Sequence, residues 1–152
     1  MGKHEDADLI LKLYDLRRET VMRQAREWWF TFNPTSIQDV MGTMMGPQSG
    51  YMRMVLSYWD MACAMVVSGA IDEDLFNQTN GEHMLVYMKI EPVLEDLRKM
   101  FDNQEFAKSL ETVVKRMPNI DARMASMRER FKQIAAMRAQ QAQAATAGTQ
   151  SQ

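Results

Sequence analysis

The sequence predicts an all-α fold, a helical bundle of four to five main helices around a buried central helix, with a heptad-patterned C-terminal helix. Three observations support this prediction. Apolar residues recur at three- and four-residue steps, proline and glycine interrupt the pattern, and no segment shows the turn-bounded alternation of a strand. The length of 152 residues is that of one ordinary domain. We therefore expect a single helical domain over residues 1–138.

The first helix is predicted over residues 6–32. Its apolar stripe runs through Leu9, Leu13, Leu16, Val21, Ala25, Trp28 and Phe32. The helix should end before Pro34, because the residue that precedes proline avoids helical geometry. Ser36, with Asp39 three residues later, then predicts a capped short helix through Met45.

The third helix is predicted over residues 49–69, with Gly69 as a left-handed C-terminal glycine. Its apolar residues leave almost no polar face: Tyr51, Met52, Met54, Val55, Leu56, Tyr58, Trp59, Met61 and Met65. A helix that is apolar all round is a buried one, so this helix should be the centre of the fold. Met41, Met44 and Met45, which lie between turn signals, are candidates for lining a groove.

A capping aspartate and a proline divide the following segment into further helices. Asp72 predicts the cap of a short helical turn through Phe76. A long helix is predicted over residues 82–101, with a bend at Pro92 because proline removes a backbone hydrogen bond. The next helix is predicted over residues 104–117.

The last helix is predicted over residues 119–138, and residues 139–152, rich in Ala and Gln, should be frayed or disordered. Apolar residues step by four and three across the last two helices: Phe106, Leu110, Val113, Met117, Ile120, Met124, Met127, Phe131 and Ile134. Such a heptad pattern is typical of helix pairing. We name the residues Ile120, Met124, Met127, Phe131 and Ile134 the C-terminal seam. The pattern predicts that this seam either folds back on its own bundle or forms a homodimer or a contact with another protein.

Several short motifs lie between residues 51 and 117. They are Trp59-Asp60, the run SGAIDEDLF at residues 68–76, Leu97-Arg98 and Leu110-Glu111. With these motifs the segment resembles a family of small all-helical bacterial proteins catalogued as a domain of unknown function. The resemblance implies a helical fold and a bacterial source, and it implies no activity, cofactor or catalytic residue. Members often carry an N-terminal membrane helix, which the sequence does not show.

Composition predicts a cytoplasmic protein without membrane contact. Cys63 is the only cysteine, which suits a reducing compartment. Residues 1–8 are polar and acidic, unlike a signal peptide. The longest apolar stretch, residues 54–67, is interrupted by Ser57 and Asp60 and is too short to span a bilayer.

Asp60 is the first candidate for a functional residue, because a charge in the most hydrophobic helix must be paired or face a cavity. Two interpretations stay open. Asp60 forms a structural ion pair, with Arg98 as the first candidate partner. Alternatively, Asp60 belongs to a ligand-binding or enzymatic site that also includes Cys63, His83, Tyr87 and Arg98. No catalytic residue is assigned.

The sequence gives no reason to expect a metal or a cofactor, because it lacks the Glu-x-x-His spacing of a di-iron bundle and has one cysteine. Residues 115–138 hold seven bases and two acids, while residues 72–105 hold nine acids and three bases. The basic segment has no nucleic-acid motif, so a nucleic-acid accessory role is the least favoured interpretation. The leading interpretation is a helical interaction or self-associating protein without catalytic activity. A ligand-binding or enzymatic bundle near Asp60 is the alternative.

Overall fold

The structure is a computed structural model that describes residues 2–150, and these residues contain helices and no strand. The predicted all-α class is therefore confirmed. The chain divides into two compact units, Met1–Pro118 and Asn119–Gln152. The helices are α1 Lys3–Arg17, α2 Thr20–Thr31, α3 Ile37–Met44, α4 Ser49–Val67, α5 Glu73–Thr79, α6 Glu82–Ile90, α7 Leu94–Met100, α8 Lys108–Lys115 and α9 Ile120–Gln150.

The predicted first helix is in fact two helices, α1 and α2. Glu19 leaves the helical conformation, with φ −55° and ψ 144°, and its carboxylate accepts hydrogen bonds from the backbone N–H groups of Val21 and Met22. These bonds satisfy donors that a helix start leaves unpaired, so Glu19 begins a new helix. The predicted stripe changes as a result. Leu16 and Val21 are exposed, while Met22 and Trp29 are buried beside the correctly predicted Ala25.

Both predicted N-terminal caps are confirmed. The Ser36 hydroxyl accepts a hydrogen bond from the N–H of Asp39 at the start of α3. The Asp72 carboxylate accepts one from the N–H of Leu75 at the start of α5. Helix α5 continues to Thr79 and is therefore longer than the predicted turn.

Helix α4 is the centre of the first unit, as predicted, because it packs against α2, α3, α5, α6 and α8. Gly69 has φ +85°, and the N–H groups of Gly69 and Ala70 donate to the carbonyls of Val66 and Met65. This is the glycine-terminated end expected from the sequence. One face of α4 is nevertheless open to solvent, since Arg53 and Ser57 are exposed.

The most completely buried helix is α6, in which every residue from 83 to 90 is buried. This burial includes Lys89, whose Nζ donates hydrogen bonds to the backbone oxygens of Trp29, at 2.7 Å, and Phe30, at 3.1 Å. The carbonyl of Trp29 also accepts from the N–H of Phe32. The Lys89 cation adds a charged donor to both carbonyls and complements the negative end of the α2 dipole. Lys89 thus joins the core of α6 to the end of α2.

The helix predicted over residues 82–101 is interrupted at Pro92 by a 3-10 turn, Glu91–Val93, between α6 and α7. Proline cannot donate a backbone hydrogen bond, so the α-helical pattern is broken at the predicted position. The following helix, α8, begins at Lys108 instead of the predicted residue 104. Its start is delayed because Ala107 has φ +55°, a left-handed conformation outside the helical region.

The second unit consists of one long helix, α9, from Ile120 to Gln150. At 31 residues it is about 46 Å long. The helix continues well beyond Arg138, through the alanine- and glutamine-rich segment predicted to be frayed or disordered. Alanine and glutamine are good helix formers, which accounts for the continuation. Residues 151 and 152 of that predicted tail lie outside the described residues.

Candidate ligand-binding site

A cleft of about 510 Å³ opens in the first unit. Helices α3, α4, α6 and α7, the C-terminal cap of α2 and the loop of residues 101–107 contribute to its wall. Most of the lining is apolar: Phe32, Val40, Met44, Met52, Leu56, Ile90, Leu97, Phe101, Phe106 and Ala107. The polar lining residues are Arg53, Ser57, Asp60, Asn103 and Glu105. Such a cavity has the size and character of a small-molecule site.

Helix α4 supplies both an apolar and a polar edge of this cleft. Met52 and Leu56 are four residues apart and therefore lie on one face of the helix. Arg53, Ser57 and Asp60 follow each other by four and three residues and form a neighbouring polar line. This arrangement explains why α4, although central, keeps a partly polar face.

The 101–107 loop closes one side of the cleft and contributes five of its lining residues. Two of its residues, Asp102 and Ala107, have left-handed φ values of 49° and 55°. Such values are costly for residues other than glycine, so surrounding contacts must hold the loop. Arg98 provides two of them: its Nε donates to the carbonyl of Phe106 at 3.0 Å, and its carbonyl accepts from the N–H of Asn103 at 2.9 Å.

Asp60 holds the helix that follows the loop. Its Oδ1 accepts a hydrogen bond from the backbone N–H of Leu110, 3.0 Å away, in the first turn of α8. The N-cap residue of α8 is Ala107, which has no side chain able to accept such a bond. A carboxylate near the N-terminus of a helix is also stabilised by the positive end of the helix dipole. Asp60 therefore caps α8 from a different helix, and it is half-buried.

The predicted ion pair between Asp60 and Arg98 is wrong. The Nη2 of Arg98 lies 3.3 Å from Oε1 of Glu111 on α8, and both side chains are largely buried. Burial of the Glu111 carboxyl would raise its pKa, but the hydrogen bonds from Arg98 and Lys108 outweigh this effect, so the pKa lies below its ordinary value. Arg98 already has a carboxylate partner, and Asp60 has the N–H of Leu110, so neither needs the other.

His83 and Cys63 lie in the core rather than on the cleft. His83 is fully buried, with Nε2 2.9 Å from Oδ1 of Asn77 and its ring beside those of Trp59 and Phe76. Cys63 is also fully buried, and this burial raises the pKa of its thiol. A thiol in such an environment resists ionisation and is a poor nucleophile.

Tyr87 is buried as well, and burial is the main reason why the pKa of its hydroxyl is raised, with Glu91 contributing further. The described lining of the cleft includes Asp60 but not Cys63, His83, Tyr87 or Arg98. The five candidate residues therefore do not form one site at the cleft. Arg98 affects the cleft indirectly, through its hydrogen bonds to the 101–107 loop.

Sequence reasoning missed most of the apolar lining, especially Phe101 and Phe106 of the loop. Only the methionines between turn signals indicated a groove in the sequence. Of these, Met44 lines the cleft, while Met41 and Met45 are exposed. Phe101 and Phe106 carry no local signal, because their rings, with centroids 5.2 Å apart, meet only when the loop folds back.

Residues 2–150 contain neither a cluster of metal-binding side chains nor a helix able to span a membrane. Within this range no three histidine, cysteine, aspartate or glutamate side chains lie close enough together to hold a metal ion. Within the same range, no helix combines the length and the hydropathy that crossing a bilayer requires.

Comparison with known proteins identifies one family. The family described as Domain of unknown function (DUF4760) matches residues 4–117. This match covers most of the first unit and extends the segment on which the sequence resemblance rested. No curated protein and no solved structure matches the sequence.

Proposed function

Because the chain belongs to the DUF4760 family, whose description assigns no function, we propose a function from the geometry of the cleft: the first unit is a binding domain for an apolar small molecule. The observation that carries this proposal is the cleft of about 510 Å³ with a mainly apolar wall and a polar edge on α4. Pockets for small molecules have this size and this balance of side chains.

The apolar lining of the cleft argues for a ligand. Among the apolar lining residues, Phe101 is exposed and Phe106 and Met44 are partly exposed. Leaving their apolar surface in contact with water costs about 25 cal/mol per Å². A bound apolar group would remove this cost.

The lining favours binding over catalysis. Its charged side chains, within the described residues, are Arg53, Asp60 and Glu105, and it includes no histidine or cysteine. Asp60 already caps α8, which is a structural task. This supports the interpretation of a protein without catalytic activity. In the alternative, enzymatic interpretation, Asp60 would have to act without Cys63 and His83, which the lining does not include.

A series of straight-chain alcohols tests the proposal. Hexanol, octanol and decanol should bind with an affinity that rises about fourfold for each added CH₂, since burial of one CH₂ contributes about 0.8 kcal/mol. Isothermal titration calorimetry measures this increase. The affinity should stop rising once the chain fills the cleft.

A pair of matched variants localises the binding. Ser57 on α4 and Ser68 at its C-terminal cap are both exposed, and each hydroxyl donates to the carbonyl three residues earlier. Ser57 lines the cleft and Ser68 does not. Ser57→Trp should therefore weaken decanol binding at least roughly tenfold, while Ser68→Trp should leave it unchanged. Equal affinities for the two variants would contradict the proposal.

A second candidate function is self-association through α9. Met127, Phe131 and Ile134 follow each other by four and three residues, on one face of this helix. Ile134 and, close to that face, Met137 are 38% and 57% exposed. Most of the stability of a helix in a protein comes from packing of its apolar face. Ile120 and Met124 of the C-terminal seam are already buried in the single chain. The observations therefore support pairing with a second copy of the chain through the later part of the seam, from Met127 onward.

Charge favours an antiparallel arrangement of two such helices. Arg123, Arg130, Lys132 and Arg138 flank the seam and would repel their equivalents in a parallel pair at low salt. Replacing Met127 and Phe131 together by serine should convert a dimer into a monomer, as measured by sedimentation. The circular dichroism spectrum of the variant must remain that of a helical protein, so that loss of the dimer is not caused by unfolding. A parent protein that is monomeric at high concentration would refute the candidate.

We further infer a bacterial cytoplasmic location. A reducing compartment is compatible with one buried cysteine, Cys63. Cell fractionation of a tagged protein, with known cytoplasmic and membrane markers as controls, tests this inference. Recovery with the membrane marker would contradict it.

A further inference from the structure

The mouth of the cleft carries three charged side chains, and their arrangement indicates which head group a ligand would have. Asp60 is half-buried, while Glu105 and Arg53 are exposed. Among the ion pairs described for residues 2–150, none involves any of these three side chains. Asp60 Oδ1 accepts from the N–H of Leu110, and Arg53 Nε donates to the carbonyl of Ser49. These partners are uncharged backbone groups, so all three side chains keep their charge for a bound molecule.

The two carboxylates belong to the same end of the cleft. Asp60 accepts a hydrogen bond from the N–H of Leu110. This bond holds the first turn of α8 next to α4, and the end of the 101–107 loop is held there with it. Glu105 lies on that end of the loop. Both carboxylates line the cleft, so a head group placed between them meets two negative charges.

Arg53 lies away from this pair. It precedes Asp60 by seven residues on α4, which corresponds to about 10 Å along the helix axis. The Debye length at about 0.1 M salt is also about 10 Å, so the guanidinium neutralises the carboxylate end only weakly. Arg98, whose Nε donates to the carbonyl of Phe106, and Lys108 also lie near the loop, but both cations pair with Glu111.

Aromatic rings at the same end also suit a cation. Phe101 and Phe106 both line the cleft, and their ring centroids are 5.2 Å apart at an interplanar angle of 62°. Phe106 is the direct neighbour of Glu105. The face of an aromatic ring attracts a cation, and a carboxylate beside it strengthens this preference.

Building on the proposed function, we propose that the cleft selects amphipathic ligands with a cationic, amine-type head group over ligands with an anionic one. The apolar body packs against Leu56, Leu97 and Phe106, and the head group lies beside Asp60 and Glu105. An anionic head group in the same place meets two like charges. An exposed carboxylate paired with a cation changes affinity about twofold to fivefold.

Three probes with the same ten-carbon chain test the proposal: decan-1-ol, decanoate and decyltrimethylammonium, each below the concentration at which it forms micelles. Calorimetric titration at pH 7 should rank the ammonium tightest and the carboxylate weakest. The ratio of ammonium to alcohol affinity should fall about twofold to fivefold in Asp60→Asn and in Glu105→Gln. Asparagine keeps an oxygen for the Leu110 N–H, so α8 stays capped.

The control is Glu95→Gln. Glu95 is an exposed acid within the acidic segment of residues 72–105, pairs with Lys99 at 3.3 Å and does not line the cleft, so its removal should leave the affinity ratio unchanged. If the alcohol binds but the two charged probes bind equally, or the carboxylate binds more tightly, the head-group proposal is overturned and the proposed function stands. If none of the three probes binds, both are refuted.

Discussion

Replacing Asp60 by alanine tests the capping contact that joins α4 to α8. The substitution removes the acceptor of the 3.0 Å hydrogen bond from the N–H of Leu110. Nothing else on α8 substitutes for it, since the N-cap residue, Ala107, has no side-chain acceptor. Leu110 has no exposed surface, so water cannot reach its N–H without rearrangement of the helix start.

The expected loss is about 2 kcal/mol in the free energy of unfolding. Removal of an N-terminal cap costs about 0.5–2 kcal/mol, and a buried donor left without a partner costs about 1–3 kcal/mol. These two ranges describe the same bond and are not added. Asp60→Asn retains the acceptor and loses only the interaction of the charge with the helix dipole, so it should cost about 0.5 kcal/mol.

Urea denaturation followed by circular dichroism measures both variants. With a denaturant slope of about 2 kcal/mol/M, Asp60→Ala should lower the midpoint by about 1 M. Ser57→Ala, an exposed change one turn earlier on α4, is the control and should stay within about 0.5 kcal/mol of the parent.

Two outcomes would contradict the capping argument. An Asp60→Ala midpoint equal to that of the parent would mean that the bond to Leu110 contributes nothing. An Asp60→Asn variant as unstable as Asp60→Ala would mean that the charge, rather than the oxygen acceptor, stabilises the fold.

Three further predictions concern other buried groups. Lys89→Met should lower the free energy of unfolding by about 2 kcal/mol, because it leaves the last carbonyls of α2 without their charged donor; a midpoint in urea equal to the parent's would refute this. Since the folded-state pKa of Glu111 lies below its ordinary value of 4.5, its contribution to stability is present above that pH and is lost as the pH falls through the lower folded pKa. Glu111→Gln should therefore reduce the loss of unfolding free energy as the pH falls below 4.5. Carboxylates titrate roughly between pH 5 and pH 3, and an unchanged pH dependence in this window would count against the pair with Arg98. The Cys63 thiol should react with an aromatic disulfide reagent roughly 100-fold more slowly in the native protein than in urea, because burial raises its pKa; rapid native labelling would show an accessible thiol.

Local signals in the sequence determined the fold class and several helix boundaries. Ser36 and Asp72 cap the helices that follow them, and Gly69 ends α4. Each of these effects depends on hydrogen bonds between residues no more than a few positions apart, so the sequence contains all the partners. The break at Pro92 follows for the same reason, because the missing N–H belongs to the proline itself.

Other boundaries were mispredicted where two local preferences competed. Residues 6–32 have an apolar stripe that would suit one helix, yet Glu19 caps its own downstream N–H groups and starts a second helix. Residues 104–107 look helical in sequence but form part of the loop, and Ala107 takes a left-handed φ. Contacts of the loop with Arg98 stabilise this choice, and no local rule weighs them.

Only the tertiary structure decided the cleft and the role of Asp60. The sequence indicated that Asp60 needs a partner, since a half-buried carboxylate in an apolar helix must be satisfied. It could not identify that partner as the N–H of Leu110, which lies 50 residues away in the chain. Every residue except proline has a backbone N–H, so the sequence does not mark which of them will donate to Asp60. The N–H of Leu110 becomes a partner for Asp60 only because packing brings the start of α8, which has no capping side chain of its own, against α4.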